Sequence, residues 1–219
     1  MVQHESWRIL NLYAGVGGNR RLFDNCEVVA VEWDKRIAAV YQHLYPDDTV
    51  VVGDAHQYLL DHSDDGFDFI WSSPPCQSLS RMVKFGRNRS PRYPDLRLYE
   101  EILYLQHFVK ASWWVVENVV SYFTPLVPAT KIGRHLFWSN FDLSRVEDVP
   151  SPKGFINPTI GTVEALQDWL GLHYAKPWPT YDGNHCPTPP HPRTSHLPVH
   201  RRHRSLDGSS CCIYFGSAC

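Results

Sequence analysis

Apolar and polar positions in the first two thirds of the chain follow two alternating patterns, and the alternation sets the fold class. Short apolar runs at residues 8–13, 28–33, 49–52, 67–72, 113–116 and 135–139 each predict one strand. Between them lie helical spacings. Residues 35–45 predict a helix that stops at Pro46, residues 56–62 a short helix, and Leu98, Ile102, Leu105 and Val109 share one face of a helix over 95–110. Strands that alternate with helices predict βαβ units around a mostly parallel sheet, an α/β Rossmann-like fold. A long polar loop over 77–93 interrupts the pattern. It fades again after residue 142, where one amphipathic helix over 163–170 stands among prolines and glycines. From Asn184 the chain is rich in Pro, His, Arg and Ser with no apolar period, which predicts an irregular or disordered tail over 184–219.

Composition narrows the class without naming a chemistry. With 43% hydrophobic and 20% charged residues in 219, wholesale disorder is excluded. No apolar run approaches the roughly 18 residues of a membrane span, and residues 1–7 are too short and polar for a signal peptide, so no membrane association is expected. Cys26, Cys76, Cys186, Cys211, Cys212 and Cys219 have no framework spacing and read as reduced thiols in a cytoplasmic setting. The net charge of -2 does not mark a nucleic-acid binder, yet Arg81, Lys84, Arg87, Arg89 and Arg92 concentrate positive charge in the one long loop.

Three strand ends carry the first candidate chemistry. Tyr13-Ala14-Gly15-Val16-Gly17-Gly18 follows the first strand as a tight turn, read as entering a helix whose free N–H groups would meet a ligand. Arg20 stands where a dinucleotide fingerprint places its third glycine. Glu32 closes the second strand, placed for two ribose hydroxyls. Trp33 beside it suits an adenine stacking face or a core position, and Asp54 after the third strand suits an adenine amino group or a helix N-cap. Together they point to an adenosyl ligand without pyrophosphate, and S-adenosylmethionine suits them better than a nicotinamide dinucleotide.

The second set follows the fourth and fifth strands. Ser72-Ser73-Pro74-Pro75-Cys76-Gln77 sets a thiol rigidly at the carboxyl edge of the sheet, where open α/β sheets bind ligands. A buried inert cysteine is the plainer alternative. Glu117-Asn118-Val119 ends the apolar run Trp113–Val116, so its carboxylate is expected to be partly desolvated with a raised pKa. If the fourth and fifth strands are neighbours, Cys76 and Glu117 share one cleft.

The series YAGVGG, VEWD, VGDA, PPCQ and ENV resembles the DNA (cytosine-5)-methyltransferase family, in particular its short phage-type members, over residues 8–142. The resemblance implies an S-adenosylmethionine-dependent methyltransferase fold acting as a monomer on cytosine-containing duplex DNA, in the host cytoplasm if phage-encoded. It implies that Cys76 adds to carbon 6 of an extrahelical cytosine while Glu117 holds ring N3. It places Asn118 in support of the Pro75–Cys76 loop. Tyr13, Gly15, Val16, Gly17, Gly18, Glu32, Trp33, Asp54, Ala55 and Leu98 then surround the cofactor, and Gln77, Ser78, Ser80, Arg81, Lys84 and Arg87 meet DNA. Residues 1–142 become the cofactor-binding and catalytic domain, and 143–183 a reduced target-recognition region.

Two departures remain. A Gln-x-Arg-x-Arg run is replaced by Lys131-Ile132-Gly133-Arg134-His135, so that Arg134 is the one arginine left to contact the base or order the loop, and His135 occupies the last arginine's place. No counterpart of the family's returning Gly-Asn-Ser motif follows, and the tail reads as a truncated or frame-shifted end. Its His and Cys residues fit no zinc spacing, and no metal is expected. A catalytically impaired methyltransferase-like nucleic-acid-binding protein and a nucleotide-dependent oxidoreductase are the alternatives.

Overall fold

The computed structural model describes residues 6–84 and 93–146. Seven strands form one sheet: β1 (Trp7–Leu12), β2 (Cys26–Glu32), β3 (Thr49–Val52), β4 (Phe69–Ser72), β5 (Trp113–Val119), β6 (Thr130–Ile132) and β7 (His135–Ser139). Three helices, α1 (Lys35–Leu44), α2 (Ala55–His62) and α3 (Arg97–His107), connect or cover them. The spatial order is β3-β2-β1-β4-β5-β7-β6. The first five strands are mutually parallel, and β7 joins antiparallel to both β5 and β6. This is the mostly parallel, Rossmann-like α/β sheet, with its strand order reversing between β1 and β4.

Burial explains the strand sequences. All four residues of β4 and the last four of β1 are buried, as expected for central parallel strands covered on both faces. Leu98, Ile102 and Leu105 of α3 pack with Leu10, Leu12, Ile70 and Val116 in the main core. On the other face Phe23 meets Phe69 edge-on, with ring centroids 6.1 Å apart. The helix starts are set by local acids: Asp34 and Asp54 accept from the N–H groups of Arg36 and His56. Thr49–Val52 and His135–Ser139 match the sequence reading, and the other elements move at one or both ends by one to three residues.

Three differences have physical causes. β5 runs on through Glu117-Asn118-Val119 because β7 pairs along it, Glu117 opposite Phe137 and Val119 opposite His135. β6 has only three residues, two of them exposed, and lacks an apolar run to announce it, which makes His135–Ser139 the seventh strand rather than the sixth. The glycine turn does not open an α-helix: it runs into a single 3-10 turn, Arg20–Leu22. Residues 147–219, including most of the 143–183 region and the tail weighed for zinc, lie outside the described residues, as do Arg87, Arg89 and Arg92.

Arg20 is used in the fold. Its Nε and Nη2 donate to the two oxygens of the buried Asp48 at 2.6 and 2.9 Å, and Tyr41 Oη donates to the same carboxylate at 2.8 Å. This ties the glycine turn to α1 and the start of β3. Asp48→Ala would leave a largely buried guanidinium and a hydroxyl without their acceptor. It should destabilise the protein by about 3 kcal/mol, read as a lower denaturant midpoint, with Asp48→Asn losing less.

Candidate active site

The carboxyl ends of β1, β2, β3, β4 and β5 lie along one edge, and the loops that leave them carry nearly all the candidate residues. At β1 the turn is held from below and from the side. Asn11, fully buried, exchanges side-chain hydrogen bonds with Asn19 at 2.8 and 3.3 Å. The Gly15 N–H donates to Glu32 Oε2 and the Asp34 N–H to Glu32 Oε1, both at 2.9 Å. Glu32 therefore braces the turn with one lone pair per oxygen and keeps others for a ligand. Trp33 next to it is 74% exposed, which rules out the core position. Asp54 caps α2 by accepting from the His56 N–H at 2.9 Å, and its other oxygen lies 4.0 Å from Arg97 Nη1.

The two central glycines do different work. Both have left-handed backbones, with φ of 56° at Gly15 and 85° at Gly17. A Cβ at Gly15 would meet nothing within 4 Å, so open space faces the turn there. A Cβ at Gly17 would run into the Tyr45 ring and come within 3.0 Å of Tyr41 Cε2. Tyr45 cannot easily retreat, because its hydroxyl donates to the Gly17 carbonyl at 2.9 Å. Gly17 is thus a packing requirement, whereas Gly15 borders open space. Val16 is exposed and Gly18 half-buried beside them. Ala55 and Leu98, expected at the cofactor, are buried in the main core.

At β4 and β5 two hydrogen bonds join the strand ends. Ser72 stands opposite Val116, where the ladder between the strands stops. Beyond it the Asn118 side chain donates to the Pro74 carbonyl at 2.8 Å, and the Ser73 hydroxyl donates to Glu117 Oε2 at 3.0 Å. Glu117 is 2% exposed and Asn118 3%. Pro75 is exposed and Cys76 half-buried. The Cys76 carbonyl accepts from the N–H groups of Leu79 and Ser80, which curls the chain after the thiol into a turn. Leu79 then plugs the core, and Ser80 bridges to Ser121. The Cys76 loop is fastened on both sides.

The residues expected to meet DNA differ in their surroundings. Ser78 Oγ accepts from the Asp95 N–H at 2.9 Å and so closes the base of the long loop. Gln77 and Arg81 are exposed, and the Lys84 side chain and Arg87 lie outside what is described. Gly133 takes φ 55° in the two-residue turn between β6 and β7, which leaves Arg134 exposed on the turn. His135 instead enters the ladder, and its Nε2 lies 3.6 Å from Glu117 Oε1. The register thus sets the histidine, not the arginine, beside the carboxylate.

Sequence reading missed Glu101. This α3 carboxylate is 1% exposed. Its Oε1 accepts from the Tyr13 hydroxyl and lies 2.9 Å from His56 Nδ1, and its Oε2 accepts from the Ser72 hydroxyl at 2.6 Å. Its hydrogen bond, against opposing desolvation, raises the His56 pKa above the usual histidine value; Glu100, 3.5 Å from the ring, adds to the rise and Arg97 opposes it. Burial, then the Glu101 charge, pushes the Tyr13 hydroxyl far up, so it stays a donor. The signal lay in spacing: Glu101 falls three residues after Leu98 and four before Leu105, on the apolar stripe of α3.

Two outcomes follow. Gly17→Ala should destabilise the fold by about 2 kcal/mol from backbone strain and collision. Gly15→Ala should cost only about 1 kcal/mol of strain and act mainly on ligand affinity, the two being separated by thermal melts and calorimetry. A raised histidine pKa means its stabilisation is complete below the unfolded value of about 6.5 and is lost as pH rises through the folded value. His56→Gln should flatten that part of the stability profile when melts are recorded from acid to mildly alkaline pH.

Comparison with known proteins identifies the family. No curated protein matches the chain by sequence. Among solved structures the chain is similar to a DNMT2 variant from Spodoptera frugiperda, at 26% identity over 52% of this chain and 36% of that one, TM-score 0.37. It is also similar to the Dnmt2 methyltransferase of S. pombe, at 19% identity over 52% of this chain and 34% of that one, TM-score 0.39. A SAM dependent methyltransferase from Agrobacterium tumefaciens matches at 17% identity over 56% of this chain and 42% of that one, TM-score 0.41. The chain spans about a third of the length of the two DNMT2 structures. Residues 7–125, just over half of the chain, match the family model for C-5 cytosine-specific DNA methylase, and the protein belongs to that family.

Proposed function

We propose that the protein transfers a methyl group from S-adenosylmethionine to carbon 5 of cytosine in duplex DNA, acting as a monomer through a covalent Cys76 adduct. The observation that carries this reading is the Ser73 hydroxyl on Glu117, 3.0 Å, which fixes the acid to the loop that bears the thiol. The cofactor suits the residues present: open space at Gly15, the exposed Trp33 face, and the Glu32 carboxylate between them. A pyrophosphate suits them less, because only a three-residue 3-10 turn follows the glycines and no α-helix N-terminus faces a phosphate.

The chain's own groups then divide the work. Cys76, as thiolate, forms a bond to ring carbon 6, and the ring electrons move toward carbon 5. Glu117 holds the N3 edge and supplies the proton that balances the added charge. S-adenosylmethionine supplies a methyl group activated by its sulfonium, which carbon 5 takes up. Loss of the carbon-5 proton to a base returns the electron pair to the ring and expels the Cys76 thiolate, and the N3 proton goes back to Glu117. His135, 3.6 Å from Glu117 Oε1, adds positive charge beside the carboxylate when protonated. A stacked cytosine cannot reach a thiol on this edge, so the base has to leave the helix. Arg81 and the basic residues after it, on the loop that follows the thiol, suit phosphate contacts.

Trapping on duplex DNA containing 5-fluorocytosine tests the reading, since the fluorine blocks the final proton loss. The unmodified protein should form a cofactor-dependent covalent complex, and Cys76→Ser none. Equal trapping by the serine variant would reassign the nucleophile. Glu117→Gln should fold normally and methylate about 100-fold more slowly, measured with labelled cofactor.

A further inference from the structure

We propose that Glu101 is a positioning residue that couples the cofactor loop to the thiol loop; this rests on the function proposed above. The carboxylate reaches three separate segments from one helix. Tyr13 is the first residue past β1 and leads directly into the glycine turn. His56 is the second residue of α2, next to the strand-end Asp54 and Ala55. Ser72 is the last residue of β4, four before Cys76. A shift of α3 or of any one donor is therefore felt by the other two.

Two features make this more than packing. Glu101 lies on the apolar stripe of α3, between residues that pack into the main core. A leucine of similar volume would fill such a place without desolvating a charge, so stability alone does not favour a carboxylate there. Tyr13 also has φ of 56°, a left-handed backbone that is uncommon for an aromatic residue. Its hydroxyl is held by Glu101 at the point where the chain must turn toward Gly15. The strained residue and the buried acid thus fix the entry of the glycine turn, while Ser72 fixes the exit of β4 from the same acid. None of the three donors needs to touch a reacting atom for this to work.

The test reads both ends in the full chain. S-Adenosylmethionine affinity is measured by calorimetry without DNA, and adduct formation on 5-fluorocytosine DNA is timed at saturating cofactor. Glu101→Gln should weaken the cofactor about tenfold and also slow adduct formation about tenfold. Ser72→Ala should slow adduct formation about fivefold while the dissociation constant moves less than twofold. If Glu101→Gln does not fold, Tyr13→Phe replaces it and should weaken the cofactor at least threefold, with Ser72→Ala read as before. A folded Glu101→Gln protein that changes neither quantity, or only one, overturns the coupling, as does an unchanged affinity in Tyr13→Phe. Should the unmodified protein bind no cofactor and form no adduct, the proposed function fails first; should it do both while the variants match it, the coupling alone fails.

Discussion

The loop that carries Cys76 and the strand that carries Glu117 are joined by side-chain hydrogen bonds where the ladder between β4 and β5 gives out. Glu117 is positioned by backbone pairing, with β4 beside the preceding residue and Phe137 of β7 opposite. Cys76 has no such ladder. Its loop is ordered by the Asn118 amide on the Pro74 carbonyl, by Ser73 on Glu117, and by Leu79 buried at 1% exposure. The Tyr122 N–H on the Leu79 carbonyl and the Ser80–Ser121 bridge extend the same seam. Buried hydrogen bonds of this kind contribute about 1 kcal/mol each when made and cost about 1–3 kcal/mol when one partner is removed. Their larger effect is geometric, since a loop without them would spend little time in one arrangement.

Two further buried acids, Asp48 and Glu101, each take several donors, and the pair differ in what they hold. Asp48 binds Arg20 and Tyr41, residues that fix the glycine turn against α1. Glu101 binds Tyr13, His56 and Ser72, residues that stand at the strand ends themselves. The first fastens the turn to the body of the domain; the second fastens the strand ends to each other. A side chain that is 1% exposed and has three donors leaves no room for drift, so the rigidity of the carboxyl edge comes from polar groups as much as from apolar packing.

Most of the sheet was legible because buried parallel strands are nearly pure apolar runs, and Phe69–Ser72 and the Trp113–Val116 part of β5 show it. The loop motifs were legible because Gly, Pro, Cys and Glu at strand ends are unusual company. What escaped was whatever depended on a partner distant in sequence. Ser78 looks like any hydroxyl in a basic loop until Asp95 closes on it. Gly17 looks like a ligand glycine until Tyr45 packs against it. Arg134 and His135 differ by one residue, and only the two-residue turn at Gly133 decides which enters the ladder. Glu101 was not singled out, although its spacing from Leu98 and Leu105 puts it on the buried face of α3.

The charges along the edge bear on which adenosyl ligand the site prefers. Glu32, Asp34 and Asp54 follow β2 and β3, and the nearest cations are largely engaged: Arg36 with Asp34 and Arg97 with Asp95. Those pairings hold both aspartates below the ordinary carboxylate range, so they remain charged at neutral pH. An edge with this sign repels a pyrophosphate and tolerates a sulfonium. Charge is therefore uneven along one sheet edge, with acids at the ends of β2 and β3 and Arg81 on the turn that follows Cys76.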